Sequence, residues 1–387
     1  MELPQLPQLE QAPHITPSTY AAALLCQARA VWTASRNQPR LPEHPSSLLG
    51  IAFHLVVEKA AVGALTNDAE DVVGAARELF DSKCGELYDF AHPLLRAKFA
   101  LPERMPGYYL FRERASLTAA EAFNSAPTIG GVRRPSGATG APASATERWL
   151  KTADGMLVGR PDFIDGHKGE IVDYKTGLYG DDEMSESEVR QLRIYAQLAQ
   201  ENGYTAKTGV IVRPDGRRLN VALVSADIQK ESATAKEVLL GLNTAVANGT
   251  TFIDLASPKV DACRMCPCIP FCEPFWQRAE VSWADKVGVQ IEGLVTRIEQ
   301  STLQGTDLVS LTTDVQRGTA TPGSYTVEQI PASWLHVGGA TLPDVGDRVR
   351  VTGGRIVECD SMTVRADRVG TVVWTLSQSQ SEEGDDG

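Results

Sequence analysis

The stretch that decides the fold reads GRPDFIDGHKGEIVDYKTG and spans residues 159–177. Residues 156–164 and 170–174 are rich in strand-forming side chains, and residues 165–169 between them carry the Asp and Gly of a tight turn. This order predicts a β-hairpin. A helix and two further strands are predicted after it, so the local pattern indicates an α+β fold around a mixed sheet.

The polar side chains of this hairpin are placed to meet. Successive side chains on a strand alternate between faces, so Asp173 and Lys175 project to one side and Tyr174 to the other, while Asp162 arrives from the partner strand. Two carboxylates, a backbone carbonyl and waters supply the oxygen ligands of a hard divalent ion such as Mg²⁺ and leave room for a phosphate oxygen. The metal would activate a water, which Lys175 is placed to position.

These residues resemble the PD-(D/E)xK nuclease superfamily, and Asp-Tyr-Lys-Thr preceded by Gly159-x-x-Asp162 is similar to its RecB-like branch. Two further motifs, each a pair one helical turn apart, match that branch: Gly50-x-x-x-His54 and Gln191-x-x-x-Tyr195. The resemblance implies catalytic roles for Asp162, Asp173, Lys175, Gln191 and Tyr195. It implies metal ligation by His54, Asp162 and Asp173. Glu147 occupies a place where these nucleases often carry an acidic residue.

Each motif also has an ordinary structural explanation. A lone histidine such as His54 on a half-apolar helix is more often a core residue, and an Asp-x-Lys pair on a strand is usually a surface ion pair. The combined order and spacing of the motifs favour the nuclease interpretation, because the motifs follow one another in the order typical of the family, over about 140 residues.

Four of the seven cysteines crowd between Cys263 and Cys272, closer together than a disulfide framework places them, which favours a reducing compartment and a metal or cluster. The spacing of the late cysteines, with the early Cys26, resembles the iron–sulfur subset of these nucleases found in AddB-type subunits and CRISPR-associated exonucleases. The resemblance implies a [4Fe–4S] cluster that staples the fold through Cys26, Cys263, Cys266 and Cys272. The extra Cys268 departs from that pattern. The alternatives are a cramped zinc site of Cys263, Cys266, Cys268 and Cys272, and unliganded thiols.

The chain divides into segments of different pattern. We expect an N-terminal tail (1–15), a RecB-like nuclease domain (16–280) with a helical insertion (68–145), an OB-like β-barrel (286–375) and an acidic disordered tail (376–387). The fold class is therefore a restriction-endonuclease-like α+β core with a mixed sheet, followed by an all-β barrel with five strands. Any small β-sandwich is the alternative for the last domain. Within the core, a helix over 17–35 is expected to contain Cys26.

The composition limits the class of protein. The formal net charge of −12 and the pI of about 5.1 argue against a protein that coats nucleic acid non-specifically, although a locally basic groove remains compatible. No apolar stretch approaches the ~20 residues of a bilayer crossing, so we expect a soluble, cytoplasmic protein. Seven basic residues are candidates for a strand path or for ordinary surface: Arg96, Lys98, Arg104, Arg112, Arg114, Arg133 and Arg134.

The expected function is that of a Mg²⁺- or Mn²⁺-dependent exodeoxyribonuclease that acts on single-stranded DNA or DNA ends in repair, recombination or defence. Its barrel would help to hold the strand, and a helicase or another repair or defence protein is the expected partner. The alternative is an accessory subunit that grips single strands for such a partner without cutting them.

Overall fold

The computed structural model describes the chain apart from residues 4–5, 7, 36–37, 66–70, 126–127, 130–131, 134–143, 147, 178–181, 358–359 and 377–387. The α-helices are α1 (Pro17–Leu25), α2 (Gln27–Ala34), α3 (Pro45–Ala61), α4 (Val72–Asp89), α5 (Pro93–Lys98), α6 (Tyr108–Ser125), α7 (Glu186–Glu201), α8 (Ser225–Ala247), α9 (Phe252–Leu255), α10 (Val260–Cys263), α11 (Glu273–Arg278), α12 (Ala284–Val287) and α13 (Ala332–Leu335).

The strands are β1 (Thr128–Ile129), β2 (Val132–Arg133), β3 (Ser144–Thr146), β4 (Leu150–Lys151), β5 (Val158–Gly159), β6 (Phe163–Asp165), β7 (Glu170–Tyr174), β8 (Thr208–Val212), β9 (Arg218–Ala222), β10 (Gln290–Leu303), β11 (Thr306–Gly318), β12 (Gly323–Pro331), β13 (Arg348–Thr352), β14 (Arg355–Val357), β15 (Asp360–Arg365) and β16 (Val372–Thr375). The predicted α+β class with a mixed sheet is confirmed, because β7 and β8 pair in parallel while β6–β7 and β8–β9 are antiparallel.

The predicted hairpin forms between β6 and β7, with Phe163 opposite Val172. The prediction of one continuous strand over 156–164 is wrong. β5 pairs with β4 in a separate two-stranded sheet, and Asp162 lies in the connection before β6 rather than on a partner strand. Pro161 accounts for the break, since it has no N–H to continue a ladder.

Helices cover both faces of the five-stranded sheet β3-β6-β7-β8-β9. Val172 and Tyr174 of β7 pack in a core formed with α3, α4 and α6. Ile171 packs on the other side, in a core formed with α7 and α8. Since side chains alternate along the strand, Asp173 lies on the α7 side. Much of the predicted insertion is helical as expected, whereas most of its Gly/Pro/Ser-rich part, 127–144, lies outside the described residues.

The N-terminal helix is divided, contrary to the single helix predicted over 17–35. Cys26 has an extended backbone (φ −160°, ψ 119°) between α1 and α2. Its N–H donates to Ala22 O and its own carbonyl accepts from Ala30 N, so one residue both ends α1 and begins α2. The break directs the Cys26 sulfur toward the late part of the chain, where Ser257 N lies 3.5 Å from it.

The C-terminal sheet has seven strands in the order β14-β15-β12-β11-β10-β13-β16, and it is open in this order with β14 and β16 at the edges. The β12–β15 pairing is parallel and the other pairings are antiparallel. The five predicted strands are present, and β14 and β16 are additional. The three Tyr and Trp residues of the segment 286–375 are all buried: Tyr325 and Trp374 in the sheet and Trp334 on α13.

A buried ion network joins this sheet to α11, the helix that follows Cys272. Arg350 on β13 donates from Nε to Glu292 Oε2 (2.6 Å), from Nη1 to Pro270 O (2.6 Å) and from Nη2 to Glu273 Oε2 (2.5 Å). Arg317 on β11 also bonds both glutamates. The Glu292 side chain is fully buried, so these contacts fix the sheet directly against α11.

No helix in the described part of the chain is both long and apolar enough for a membrane crossing.

Candidate active site

His54 reaches the site because α3 approaches the end of β7 closely. Its Nδ1 lies 3.2 Å from Asp162 Oδ1. One turn earlier on α3, Gly50 packs on Thr176, and a Cβ at position 50 would lie only 3.2 Å from Thr176 Oγ1. A glycine at this position therefore permits the helix–strand approach that brings His54 to the carboxylate.

Asp162 is held by the backbone of the neighbouring strand. Its Oδ2 accepts a hydrogen bond of 2.7 Å from the N–H of Tyr174 on β7, while Oδ1 faces His54. Gly159, three residues earlier, lies under α7, and a Cβ there would be 2.8 Å from Leu198 Cδ1 and 3.0 Å from Tyr195 Cε1. The glycine of the Gly-x-x-Asp motif thus allows α7 to pack on this connection.

Asp173, Lys175 and Gln191 form one hydrogen-bonded group on the α7 side of the sheet. Lys175 Nζ lies 2.8 Å from Asp173 Oδ2 and donates to Gln191 Oε1 at 2.8 Å. Gln191 Nε2 donates to Asp173 Oδ1 at 2.8 Å and lies 3.3 Å from the Tyr195 hydroxyl. The structure therefore brings together both hairpin polar residues and both members of the predicted helix motif.

The electrostatics of Asp173 follow from its position. Burial, and then the negative charge of Asp162, raise the pKa of Asp173 to about 6, although Lys175 and His54 oppose the shift. Burial also raises the pKa of Tyr195, and the charge of Asp173 adds to that shift. A buried carboxyl group, that of Asp173, lies near a partly exposed one, that of Asp162, an arrangement that favours binding of a cation.

The donor set suits a hard divalent ion, since it consists of two carboxylates and one imidazole. Asp173 Oδ2 is a buried atom without a hydrogen bond of acceptable geometry, although the Lys175 ammonium is near it. Within the described residues, no three His, Cys, Asp or Glu side chains are already arranged around one point as a metal site. Instead, His54 pairs with Asp162 and Lys175 with Asp173. The residue types fit the ion, and in this structure the four side chains form two ion pairs with one another.

The sequence did not lead us to predict one acidic residue that lies at the site. Glu58 lies one turn after His54 on α3 and lines the same small cavity as His54, Asp162 and Tyr174. Its spacing of four residues from His54 was the available signal, because such pairs share a helix face. The predicted Glu147 lies outside the described residues.

The basic residues proposed for a strand path do not all remain available. Lys98 is buried, and its Nζ donates to Thr371 O at 2.6 Å. Arg112 bonds Asp81 through Nε and Nη2, at 2.7 and 2.8 Å. Arg134 lies outside the described residues. Two of these positive charges therefore serve the fold.

The cysteines predicted as ligands meet in one apolar cluster that joins α2 to the late cysteine loop. Cys263, Cys268 and Cys272 are buried, and Cys26 and Cys266 are half-buried. Cys26 packs against the same cluster as Cys263, Cys268 and Cys272. A hydrogen bond from Cys268 is the main cause that lowers the pKa of Cys266 to about 7. Burial raises the pKa of Cys263 to about 11 and that of Cys272 to about 12.

A model of the PD-(D/E)XK nuclease superfamily matches residues 14–273, which is more than half of the chain. The chain therefore belongs to the PD-(D/E)XK nuclease superfamily, whose members are generally nucleases that use divalent metals such as Mg²⁺ or Mn²⁺.

No curated protein matches the chain. Among the solved structures that match is one titled "Crystal structure of SSO0001", with 17% sequence identity over 34% of this chain and a TM-score of 0.22. The match covers 60% of that chain, less than two thirds of its length.

Proposed function

We propose that the chain is a Mg²⁺- or Mn²⁺-dependent deoxyribonuclease of the RecB-like branch, acting on single strands or strand ends in repair, recombination or defence. The observation that carries the proposal is the contact between Gln191 and both Asp173 and Lys175, with His54 and Asp162 beside them. This continuous group has the side chains that metal-assisted phosphodiester hydrolysis needs.

The residues would divide the work by their chemistry. His54, Asp162 and Asp173 would hold the ion, which supplies Lewis-acid activation of a water and of the phosphate. The Lys175 ammonium, held by Gln191, is placed to orient the attacking water and to stabilise the developing negative charge. Tyr195 supports the Gln191 amide from the next turn of α7.

We propose that Cys26, Cys263, Cys266 and Cys272 hold a [4Fe–4S] cluster. Thiolates are soft ligands suited to iron, and the cysteines come from both ends of the nuclease domain into one apolar cluster. Interaction with Cys266, together with burial, raises the pKa of the Cys268 thiol, and a thiol that stays protonated suits a supporting role better than a ligand role. A zinc site that uses Cys268 is the alternative. The six described cysteines are free thiols, which suits the reducing, cytoplasmic compartment that we propose.

We propose domain bounds of 16–280 for the nuclease and 286–375 for an OB-like barrel. The parallel β12–β15 pairing supports this topology, and so does the strand pair β13 and β14, which are separated only by Gly353 and Gly354. β13 pairs with β10, and β14 pairs with β15. The continuous segment β13–β14 therefore bends at its two glycines and pairs with strands in both halves of the sheet. Because its three aromatic residues are buried, we assign this domain to support of the nuclease or to protein docking rather than to base stacking on its surface.

The test is a cleavage assay on 5′- and 3′-labelled single and double strands with Mg²⁺ or Mn²⁺. Asp162→Ala, Asp173→Ala and Lys175→Ala should each abolish cleavage while the proteins remain folded, because each change removes several kcal/mol of transition-state stabilisation. Undiminished cutting by Asp173→Ala would refute the proposal. Strand binding by the wild type with no cleavage under any of these metals would favour the alternative, a non-cutting accessory subunit.

A further inference from the structure

The end of β8 is joined by a buried ion pair to the first turn of α7, the helix that carries Gln191. Arg213 directly follows β8, and its guanidinium donates from Nη1 to Glu188 Oε1 at 2.5 Å and from Nη2 to Glu188 Oε2 at 3.0 Å. Nη2 also donates to Glu183 O at 3.0 Å, in the segment before α7. The Arg213 and Glu188 side chains are only 6% and 13% exposed. Because the contact has two parallel hydrogen bonds, it fixes the direction of the helix as well as its distance from the sheet.

Glu188 also belongs to the N-terminal cap of α7. Its Oε2 accepts a hydrogen bond from Ser185 N at 2.8 Å, and Ser185 Oγ accepts one from Glu188 N at 3.3 Å. Gln191 lies three residues further along the same helix, at a spacing that places the two side chains next to each other on its surface. A displacement of the first turn of α7 would therefore displace Gln191.

The same end of β8 holds the backbone of Lys175. Val212, the residue before Arg213, accepts a hydrogen bond of 2.9 Å at its carbonyl oxygen from Lys175 N. The dipeptide Val212-Arg213 thus holds Lys175 through its main chain and α7 through a side chain. The Lys175 ammonium and the Gln191 amide then meet at 2.8 Å. Their contact depends on both attachments to β8.

Stability alone is a poor explanation for the Arg213–Glu188 pair. Removing two charges from water is costly, and an apolar pair of similar volume often joins two elements at least as well. Arg213 Nε is moreover a buried atom without a hydrogen-bond partner in the described part of the chain, which adds to the cost. What an apolar pair does not supply is the planar fork of two hydrogen bonds, which sets a direction. The ion pair is therefore suited to precise placement of α7.

We propose that Arg213 is a positioning residue for the active site: through Glu188 it keeps Gln191 aligned with Lys175 and Asp173. This inference rests on the proposed nuclease function and adds a residue that lies outside the motifs found in the sequence. Arg213 would act without touching the substrate. Its loss should lower kcat with little change in KM, because misplaced groups beside the reacting atoms affect the transition state more than binding of the strand.

The experiment separates rate from stability with Arg213→Met/Glu188→Leu, which replaces the ion pair by an apolar pair. Arg213→Met alone leaves a buried carboxylate without its cation and should lower the urea midpoint strongly. The double variant should regain most of that midpoint, yet its kcat should stay about 10-fold below that of the wild type at unchanged KM. Arg213→Lys keeps the charge without the fork and should lower kcat about 3- to 10-fold, with a smaller loss of midpoint.

The matched control is Arg217→Met. Arg217 lies in the turn that follows Arg213, but its side chain is 43% exposed and pairs with Asp182 and Asp215. Exposed ion pairs contribute little, so this variant should keep the kcat and the urea midpoint of the wild type.

Nuclear magnetic resonance of the metal-free protein provides a measurement that needs neither cleavage nor a bound ion. The side-chain amide signals of Gln191 can be assigned by their loss in Gln191→Leu. They should move in Arg213→Lys and in the double variant, because the contacts of this amide with Lys175 and Asp173 change. They should stay in place in Arg217→Met.

Wild-type kcat in folded Arg213→Lys or in the folded double variant would overturn the inference and leave Arg213 with a purely structural role. Unchanged Gln191 amide signals in these variants would overturn it as well. A wild type that cuts no strand would refute the nuclease proposal instead. The amide signals would then decide by themselves whether Arg213 positions Gln191.

Discussion

Gln191 Oε1 accepts a hydrogen bond from Lys175 Nζ at 2.8 Å, and the other end of the same amide donates to Asp173 Oδ1, also at 2.8 Å. One side chain on α7 thus sets the positions of the proposed metal ligand and the proposed cationic group. Because the amide has distinct donor and acceptor ends, it holds the carboxylate and the ammonium in a defined order.

We predict that Gln191→Leu lowers kcat about 10- to 100-fold with little change in KM, because Lys175 and Asp173 lose their common support and small misplacements near the reacting atoms are costly. Gln197→Leu on the same helix is the control, since among the described residues the Gln197 side chain hydrogen-bonds only Glu201. Steady-state kinetics on one oligonucleotide compare the two. Equal activity of both variants would mean that Gln191 supports only the fold.

The stability of the metal-free protein should depend on pH through Asp173. Its pKa is about 6 in the folded chain against an ordinary 3.8, so the native state binds more protons between these values. The free energy of unfolding therefore falls as pH rises through this window. Asp173→Asn should be more stable than the wild type by about 1–2 kcal/mol at pH 7.5, and the difference should vanish below about pH 4.

Urea unfolding in the presence of a chelator measures this difference, with Asp182→Asn as a control because the Asp182 side chain is 92% exposed. Added Mg²⁺ should stabilise the wild type and not Asp173→Asn. A wild type whose stability rises between pH 4 and 6 relative to the Asn variant would contradict the assignment.

We predict that Gly50→Ala lowers activity without lowering stability. The added methyl group would lie 3.2 Å from Thr176 Oγ1, so α3 must move by a few tenths of an ångström and carry His54 away from Asp162. Alanine is otherwise favoured over glycine in a helix by about 1 kcal/mol. Thr176→Ala in the Gly50→Ala background should restore part of the activity by relieving this contact. No rescue would indicate that Gly50 acts in another way.

The proposed [4Fe–4S] cluster predicts different iron contents for substitutions at different cysteines. Anaerobically purified wild type should be brown and contain about four irons and four sulfides per chain. Cys26→Ser should lose the iron, while Cys268→Ser should retain it, because Cys268 is assigned a supporting role beside Cys266 rather than a ligand bond, and its pKa is raised. Cys84→Ser is the control for loss of a buried thiol outside the cluster. One zinc and no sulfide per chain would move the assignment to the local cysteine set.

The ion network at the domain junction should matter strongly to stability. Arg350→Met leaves the fully buried Glu292 with Arg317 as its only remaining cation among the described ion pairs, so we predict a loss of about 3 kcal/mol in the free energy of unfolding. Arg348→Met, two residues earlier on β13, should cost much less, because within the described part of the chain the Arg348 guanidinium has a single hydrogen bond, of 3.5 Å to Gln316. Similar unfolding midpoints for the two variants would show that the network contributes little.

Much of the candidate site could be predicted from local pattern. Strand alternation placed Asp173 of β7 and Lys175, just after it, on one face, and the one-turn spacing of Gln191 and Tyr195 placed both on the same side of α7, as the hydrogen bonds show. These features depend only on the geometry of a strand and of a helix. Their assignment to a metal site stays a prediction from the family resemblance.

The sequence by itself determined the regular elements and the chemistry of the hairpin, because periodicity and turn residues act over a few positions. Only the tertiary structure decided that the helix breaks at Cys26, because this break follows from which segments must pack together. Contacts between distant segments, such as Lys98 with Thr371 and Arg350 with Glu273, could not be predicted from the sequence either. A charged residue looks the same in a sequence whether it faces water or is buried, since its environment is supplied by residues far away in the chain.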